Sequence, residues 1–277
     1  VVEHDEEFFL GKDGRLMQSN EGTCFIASRE HVKECMEYIS RYSLYAFEEE
    51  MKQGFITIQG GHRIGIAGKV IVRESRIHNM RHVSFVNIRI SHEIPGCADL
   101  IMPYIICGRQ VLSTLIISPP RCGKTTLLRD VIRQISNGCG MISGRNVGVV
   151  DERSELGACY LGIPQNDLGI RTDVLDCCPK AEGMMMLIRS MAPSVIAVDE
   201  IGSKEELEAM DYAMNCGCVL IATAHGQDMD DIRQKPVLGQ LVREHFFRRY
   251  IILGRGGKAG CLSQVFDERG SLLYDQG

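Results

Sequence analysis

The sequence predicts an α/β protein in two parts: a smaller α+β domain over residues 1–95 and a parallel-sheet domain over residues 96–277. Three observations predict it. Five apolar runs recur in the second part: "STLIIS" (113–118), "NVGVVD" (146–151), "SVIAVD" (194–199), "GCVLIATA" (217–224) and "RRYIIL" (248–253). Near-continuous apolar strands are buried on both faces, as in a parallel sheet covered by helices. The segments between them are long enough for crossover helices, and the first part shows a different pattern.

In the first part, "SREHVKECMEYISRYSLYAFEEEMKQG" (28–54) carries apolar residues at helical spacing, Val32, Cys35, Met36 and Ile39, then Leu44, Phe47 and Met51. Ser28 is suited to cap the first turn and Gly54 to stop the last, which predicts two short helices. Residues 55–91 are rich in β-branched side chains and punctuated by Gly60, Gly61 and Gly68, the pattern of short antiparallel strands. Pro95 and Gly96 mark an expected hinge.

Composition bounds the chemistry. The 277 residues are 44% hydrophobic and 24% charged, enough for a sizeable core. The net charge of −5 and a 6% aromatic content without tryptophan weigh against a dedicated nucleic-acid binder. Twelve cysteines show no C-x-x-C spacing, so they read as reduced thiols used as small hydrophobes. No apolar run approaches the 18 residues of a membrane span.

The strand at 113–118 runs into "PPRCGKTT" and then the amphipathic "LLRDVIRQI". Strand, loop and helix are the context in which a loop ending Gly-Lys-Thr cradles phosphate. Pro120, Arg121, Cys122, Gly123, Lys124, Thr125 and Thr126 form the expected nucleotide-binding loop. Its backbone N–H groups and the helix N-terminus favour anions. Lys124 reaches the β- and γ-phosphates, and the Thr125 hydroxyl is placed for magnesium. Ser118 stands where such loops begin with glycine. The implied ligands are ATP and Mg2+.

Hydrolysis needs an acid that orients the metal and a group that positions water. Asp199 and Glu200, at the end of "SVIAVDE", are assigned those roles. A second acidic cluster, "VVDERSE", offers Asp151 as a further metal ligand and Glu152 as a catalytic carboxylate. The alternative is a solvated loop with an Arg153–Glu155 pair. His225, ending "LIATAH", is placed to sense the γ-phosphate. An arginine supplied by a neighbouring subunit would complete the site. Arg189 is taken as the leading choice beside Arg63, Arg81, Arg89 and Arg171.

The order of these boxes resembles the ATPases of type II and type IV secretion machines, in which they form a Walker A, an acidic box, a Walker B and a histidine box. "LIRSMAPSVIAVDEIG" departs from that pattern at Pro193 and at Asp199, where many members carry glycine. A narrower resemblance runs through "GGHRIGIAGKVIV", "VSFVNIRISHEIPGCAD", "PPRCGKTTLLRD", "GVVDERSELGACYLGIPQNDLG" and "RTDVLDCCPKAEGMMMLIRSMAPSVIAVDEIG". Together these are similar to the stage III sporulation protein AA family over nearly the whole chain.

The resemblance implies a RecA-like P-loop NTPase core and a homo-oligomeric ring, expected to be a hexamer. It implies a place on the cytoplasmic side of a membrane, in the mother cell, beside a membrane-anchored partner such as stage III sporulation protein AB. Two other readings stay open on the residues alone: a nucleic-acid translocase on the same fold, and a scaffold that binds ATP without hydrolysing it.

Overall fold

The structure is a computed structural model. It describes residues 8–10, 16–18, 28–40, 47–73, 75–140, 142–254 and 260–276. The chain divides into two compact units, residues 1–92 with 158–161, and residues 93–157 with 162–277.

In the first unit β1 (Phe8–Leu10) pairs antiparallel with β2 (Leu16–Gln18). Helix α1 (Arg29–Ile39) starts at Ser28, whose hydroxyl accepts the His31 N–H while the His31 ring accepts the Ser28 N–H. Helix α2 (Glu48–Gln53) stops at Gly54, which holds a left-handed φ of 84°. Both ends lie where the sequence puts them; the expected positions 41–46, Leu44 among them, fall outside the described residues.

Strands β3 (Phe55–Ile58), β4 (His62–Arg73) and β5 (Arg76–Arg89) form an antiparallel sheet in that order. Its register shifts on both sides of Gly68. A Cβ there would sit 2.6 Å from the His82 carbonyl oxygen, so the bulge requires glycine. Met36, Phe47, Met51, Ile56, Ile64, Ile66 and Met80 form this unit's core, with Tyr160 packed against it.

The second unit opens with a turn in which Gly96 holds a φ of 84°. After it come α3 (Met102–Ile105) and the small ladder of β6 (Ile106–Cys107) with β7 (Gln110–Val111). Strand β8 (Thr114–Ser118) leads into α4 (Lys124–Asn137), and β9 (Gly138–Cys139) pairs with β10 (Ile142–Ser143). Next are β11 (Val147–Asp151), β12 (Thr172–Asp176), α5 (Lys180–Ser190), β13 (Val195–Val198) and α6 (Lys204–Asn215). The chain ends with β14 (Val219–His225), α7 (Met229–Gln234), α8 (Pro236–Arg243), β15 (Arg249–Leu253), β16 (Leu262–Asp267) and β17 (Leu272–Asp275).

One eight-stranded sheet runs β12-β11-β13-β14-β8-β15-β16-β17. It is parallel from β12 to β15, and β16 and β17 add antiparallel at the edge. All five apolar runs are strands of its parallel part. Successive residues face opposite sides of a strand. Leu115 and Ile117 therefore pack with α5 to α8, while Ile116 packs with α3 and α4. Every residue of β8 and of β13 is buried. Each of their Val, Leu and Ile side chains contributes roughly 1.5–3 kcal/mol by leaving water.

Two features lie at the expected boundary. The units divide after His92, where the sequence reading placed the change after Pro95, and residues 158–161 group with the first unit. The Pro95-Gly96 turn is fastened to α4, because the Ala98 N–H donates to buried Asp130 Oδ2 at 2.8 Å. Arg133 and Gln134 also donate to that carboxylate, at 2.6 and 3.0 Å. These contacts tie the turn to α4 within the second unit.

Candidate functional site

The site lies at the carboxyl ends of β8, β13 and β14, three neighbours in the sheet. Carboxyl ends of parallel strands open into the ligand crevice of such sheets. Ser118 ends β8 opposite His225 of β14. It is fully buried, and its hydroxyl donates to the Pro119 carbonyl at 2.9 Å. Its φ is not left-handed, so this position makes no demand for glycine. The left-handed conformations fall instead on Arg121, at 66°, and on Gly123, at 80°, just before α4. Alternating handedness of this kind turns successive N–H groups toward one point. Pro120 and Arg121 are exposed, Cys122 and Thr126 half-buried. The Cys122 carbonyl accepts the Gly260 N–H at 3.0 Å.

Lys124, the first residue of α4, is buried. Its Nζ donates to Glu200 Oε1 at 3.1 Å and lies 3.5 Å from each ring nitrogen of His225. His225 Nε2 is 2.9 Å from the same Glu200 oxygen. With the ring proton on Nε2, Nδ1 is left as an acceptor toward Lys124. Arg153 Nη1 holds the other oxygen, Oε2, at 2.9 Å. Burial pushes the Glu200 carboxyl up, but Lys124, His225 and Arg153 outweigh it and hold the group below its ordinary value. Glu200 is therefore an anion at neutral pH, in reach of three donors.

Asp199 is held separately. Thr125 Oγ1 donates to its Oδ2 at 2.7 Å, and Thr223 Oγ1 donates to its Oδ1. Thr223 Oγ1 in turn accepts the Glu200 N–H at 2.9 Å. A hydroxyl and a carboxylate, both hard oxygen donors, suit Mg2+, which takes few protein ligands and completes its shell with phosphate and water. The residues present fit that ion. Among the described residues no cluster of three or more His, Cys, Asp or Glu offers a cage for a metal held by protein alone.

The second acidic cluster behaves differently from the expectation. Asp151 is buried and accepts three backbone N–H groups, from Glu155 at 2.8 Å, Leu156 at 2.9 Å and Gly157 at 2.8 Å. Burial pushes its carboxyl up to about 6, against the pull of those amides. Both oxygens are occupied in shaping the 151–157 loop, and a metal-ligand role for Asp151 is withdrawn. Asp151→Ala leaves two buried donors and one half-buried donor without acceptors and is expected to cost about 3 kcal/mol of stability. A lowered urea midpoint at unchanged slope is the check.

Glu152 pairs with Lys180 Nζ at 3.2 Å and lines the same cleft as Asp199 and Glu200. Arg189 is exposed in the last turn of α5, away from the cluster. Arg171 donates to the Ser136 carbonyl at 3.2 Å, and Arg63 lies 3.6 Å over the Phe55 ring. Arg81 and Arg89 are exposed on β5.

Sequence reasoning missed four residues. Arg153 pairs with Glu200, where only the alternative reading gave it a partner, Glu155. Thr223 links Asp199 to the Glu200 backbone. Lys180 donates to the Glu200 carbonyl at 2.8 Å. Arg129 donates to the Glu155 and Leu156 carbonyls at 2.8 and 3.0 Å, joining α4 to the acidic loop. Arg129 alone had a signal, since it lies one helical turn after Thr125.

Comparison with known proteins agrees with this architecture. The family model described as "Sporulation stage III, protein AA" matches residues 7–273. Stage III sporulation protein AA of Bacillus subtilis (strain 168) is 46% identical over 235 residues, covering 85% of this chain and 76% of that protein. Protein SEEDLING PLASTID DEVELOPMENT 1 of Arabidopsis thaliana is 30% identical over 61% of this chain and 24% of its own length.

Among solved structures, the ATPase DotB of Yersinia pseudotuberculosis has a TM-score of 0.56 at 14% identity, covering 89% of this chain and 70% of DotB. The pilus retraction motor PilT with bound ADP has a TM-score of 0.55 at 16% identity, covering 87% and 69%. At such identity the likeness shows the fold alone: α/β, with the RecA-like P-loop core of secretion ATPases. The family match over almost the full length, with 46% identity to a named member, shows that this chain belongs to the stage III sporulation protein AA family.

Proposed function

We propose that the chain is a Mg2+-dependent ATPase that works as a homo-oligomeric ring, expected to be hexameric. Its role would be to energise assembly of, or transport through, a channel complex between mother cell and forespore. The observation that carries this reading is the convergence of Lys124, Thr125, Asp199, Glu200 and His225 on three adjacent strand ends. A phosphate loop alone accounts for binding, whereas a carboxylate beside it with a second, hydroxyl-linked carboxylate accounts for hydrolysis.

The roles follow from the contacts. ATP phosphates draw Lys124 from Glu200, since a phosphate oxygen and a carboxylate compete for one ammonium. Glu200 then keeps His225 and Arg153 and turns a free lone pair toward water. Bound Mg2+ supplies charge neutralisation of the β- and γ-phosphates, with Thr125 and Asp199 as its protein ligands. His225, released from Lys124, faces the γ-phosphate. Arg189, exposed on α5, remains the choice for a cation supplied by a neighbouring copy.

Membership of a sporulation family supports the setting, and the RecA-like core shared with an ATPase and a pilus motor supports the activity. No helix among the described residues is long and apolar enough to cross a membrane. In this reading work passes to a membrane-anchored partner such as stage III sporulation protein AB, with the ring on the cytoplasmic face. The net charge of −5 speaks against nucleic acid as the track.

If copies complete one another's sites, turnover per chain rises with protein concentration. A dilution series of steady-state phosphate release tests this. The expected result is a release rate that rises more than linearly with protein and turns linear once rings form. A strictly linear dependence would leave each chain acting alone.

A further inference from the structure

We propose that Lys180 is a positioning residue that holds Glu200 in its working conformation. The inference rests on the role given to Glu200 above. Glu200 has a left-handed φ of 55°, a region that a residue with a Cβ visits at a cost. Such a conformation persists only where its surroundings over-determine it. Here both flanks of the residue are held. Its N–H donates to Thr223 Oγ1 at 2.9 Å, and its carbonyl accepts Lys180 Nζ at 2.8 Å. The next amide, of Ile201, donates to the Thr223 carbonyl at 2.9 Å.

Lys180 is the one group from outside β13 and β14 that grips this backbone among the contacts described. It stands at the start of α5 with its side chain 11% exposed. Two carboxylates fix its ammonium: Glu206 Oε1 at 3.0 Å and Glu152 Oε2 at 3.2 Å. Burial pushes its pKa down, and the two acids more than restore it, so Lys180 stays a cation. Glu206 is itself set by the start of α6, where its Oε2 accepts the Gly202 and Ser203 N–H groups at 2.7 and 2.9 Å.

The geometry makes a chain of support: the α6 cap holds Glu206, Glu206 and Glu152 hold Lys180, and Lys180 holds the Glu200 carbonyl. Turning the Glu200 peptide toward an ordinary φ would carry its carboxylate away from Lys124, His225 and Arg153. This also gives Glu152 a task, as an anchor for Lys180.

The test compares Lys180→Met, Lys180→Arg and Glu206→Gln in the full chain. Glu206→Gln keeps an amide oxygen for the α6 cap and removes one ion pair from Lys180, while Lys180 keeps Glu152 and the Glu200 carbonyl. Residue-resolved hydrogen exchange at the Glu200 and Ile201 amides is measured together with kcat and KM for Mg-ATP. Lys180→Met is expected to speed exchange at these two amides by about 10-fold or more. It is expected to lower kcat by about 30-fold with KM within 2-fold of the parent, since only the geometry of a catalytic group has changed. Lys180→Arg should recover part of both effects, and Glu206→Gln, which loosens Lys180 but leaves it Glu152 and the Glu200 carbonyl, should fall between Lys180→Met and the parent in both.

Equal behaviour of Lys180→Met and Glu206→Gln would make Lys180 a general structural ion pair and overturn the proposal. So would unchanged exchange in Lys180→Met. If the parent protein hydrolyses no ATP, the proposed activity fails, and the exchange comparison still decides whether Lys180 holds Glu200.

Discussion

Lys124→Ala is expected to abolish ATP binding, with affinity for a fluorescent ATP analogue falling by at least about 100-fold. The loop offers backbone N–H groups and a helix N-terminus, but Lys124 carries its buried full charge, held at the point where β8 and β14 end. A hydrogen bond between charged partners contributes roughly 1.5–3 kcal/mol, and the lysine makes several to a triphosphate. The variant also removes the cation that Glu200 Oε1 shares with His225, which leaves an anion facing the incoming phosphates. Both effects act in the same direction. Near-normal ATP affinity in Lys124→Ala would move the phosphate site elsewhere.

Glu200→Gln is expected to do the opposite on binding and the same on turnover. Glutamine matches glutamate in shape, so the loop and Lys124 remain, and removal of one negative charge beside the γ-phosphate favours ATP. The amide is no base, and it cannot accept from Lys124, His225 and Arg153 together. Loss of a positioned general base costs about 10²–10⁴-fold in rate, so Mg-ATP should accumulate unhydrolysed on the protein. Rapid filtration with labelled ATP, followed by separation of ATP from ADP, distinguishes this trapped state. Equal loss of ATP affinity in Lys124→Ala and Glu200→Gln would mean that the two residues share one role.

Much of this was legible in the sequence, for physical reasons. Strands β8, β11, β13, β14 and β15 are apolar on both faces, so their runs stand out. Strand β12 stayed hidden because "TDVLD" is a half-buried edge strand that mixes acids with apolar residues. Strands β16 and β17 are short and antiparallel, and the buried/polar mixture in "LSQVFD" does not announce a sheet edge. Of the site, Lys124, Thr125, Asp199, Glu200 and His225 follow from motif order, because strand ends in a parallel sheet share one rim. Arg153, Thr223 and Lys180 depend on which strand ends, loops and helix starts meet across that rim, and no spacing along the chain encodes it. Asp151 shows the converse. Its acid stands where a motif reading expects chemistry, yet three backbone amides claim it.

The measurement that tests the account most directly is steady-state phosphate release from Mg-ATP by the parent protein, beside Glu200→Gln under the same conditions. The account predicts sustained, magnesium-dependent turnover that disappears in the variant while ATP binding persists. Magnesium-dependent ATP binding without phosphate release in the parent, or equal rates in parent and variant, would contradict it.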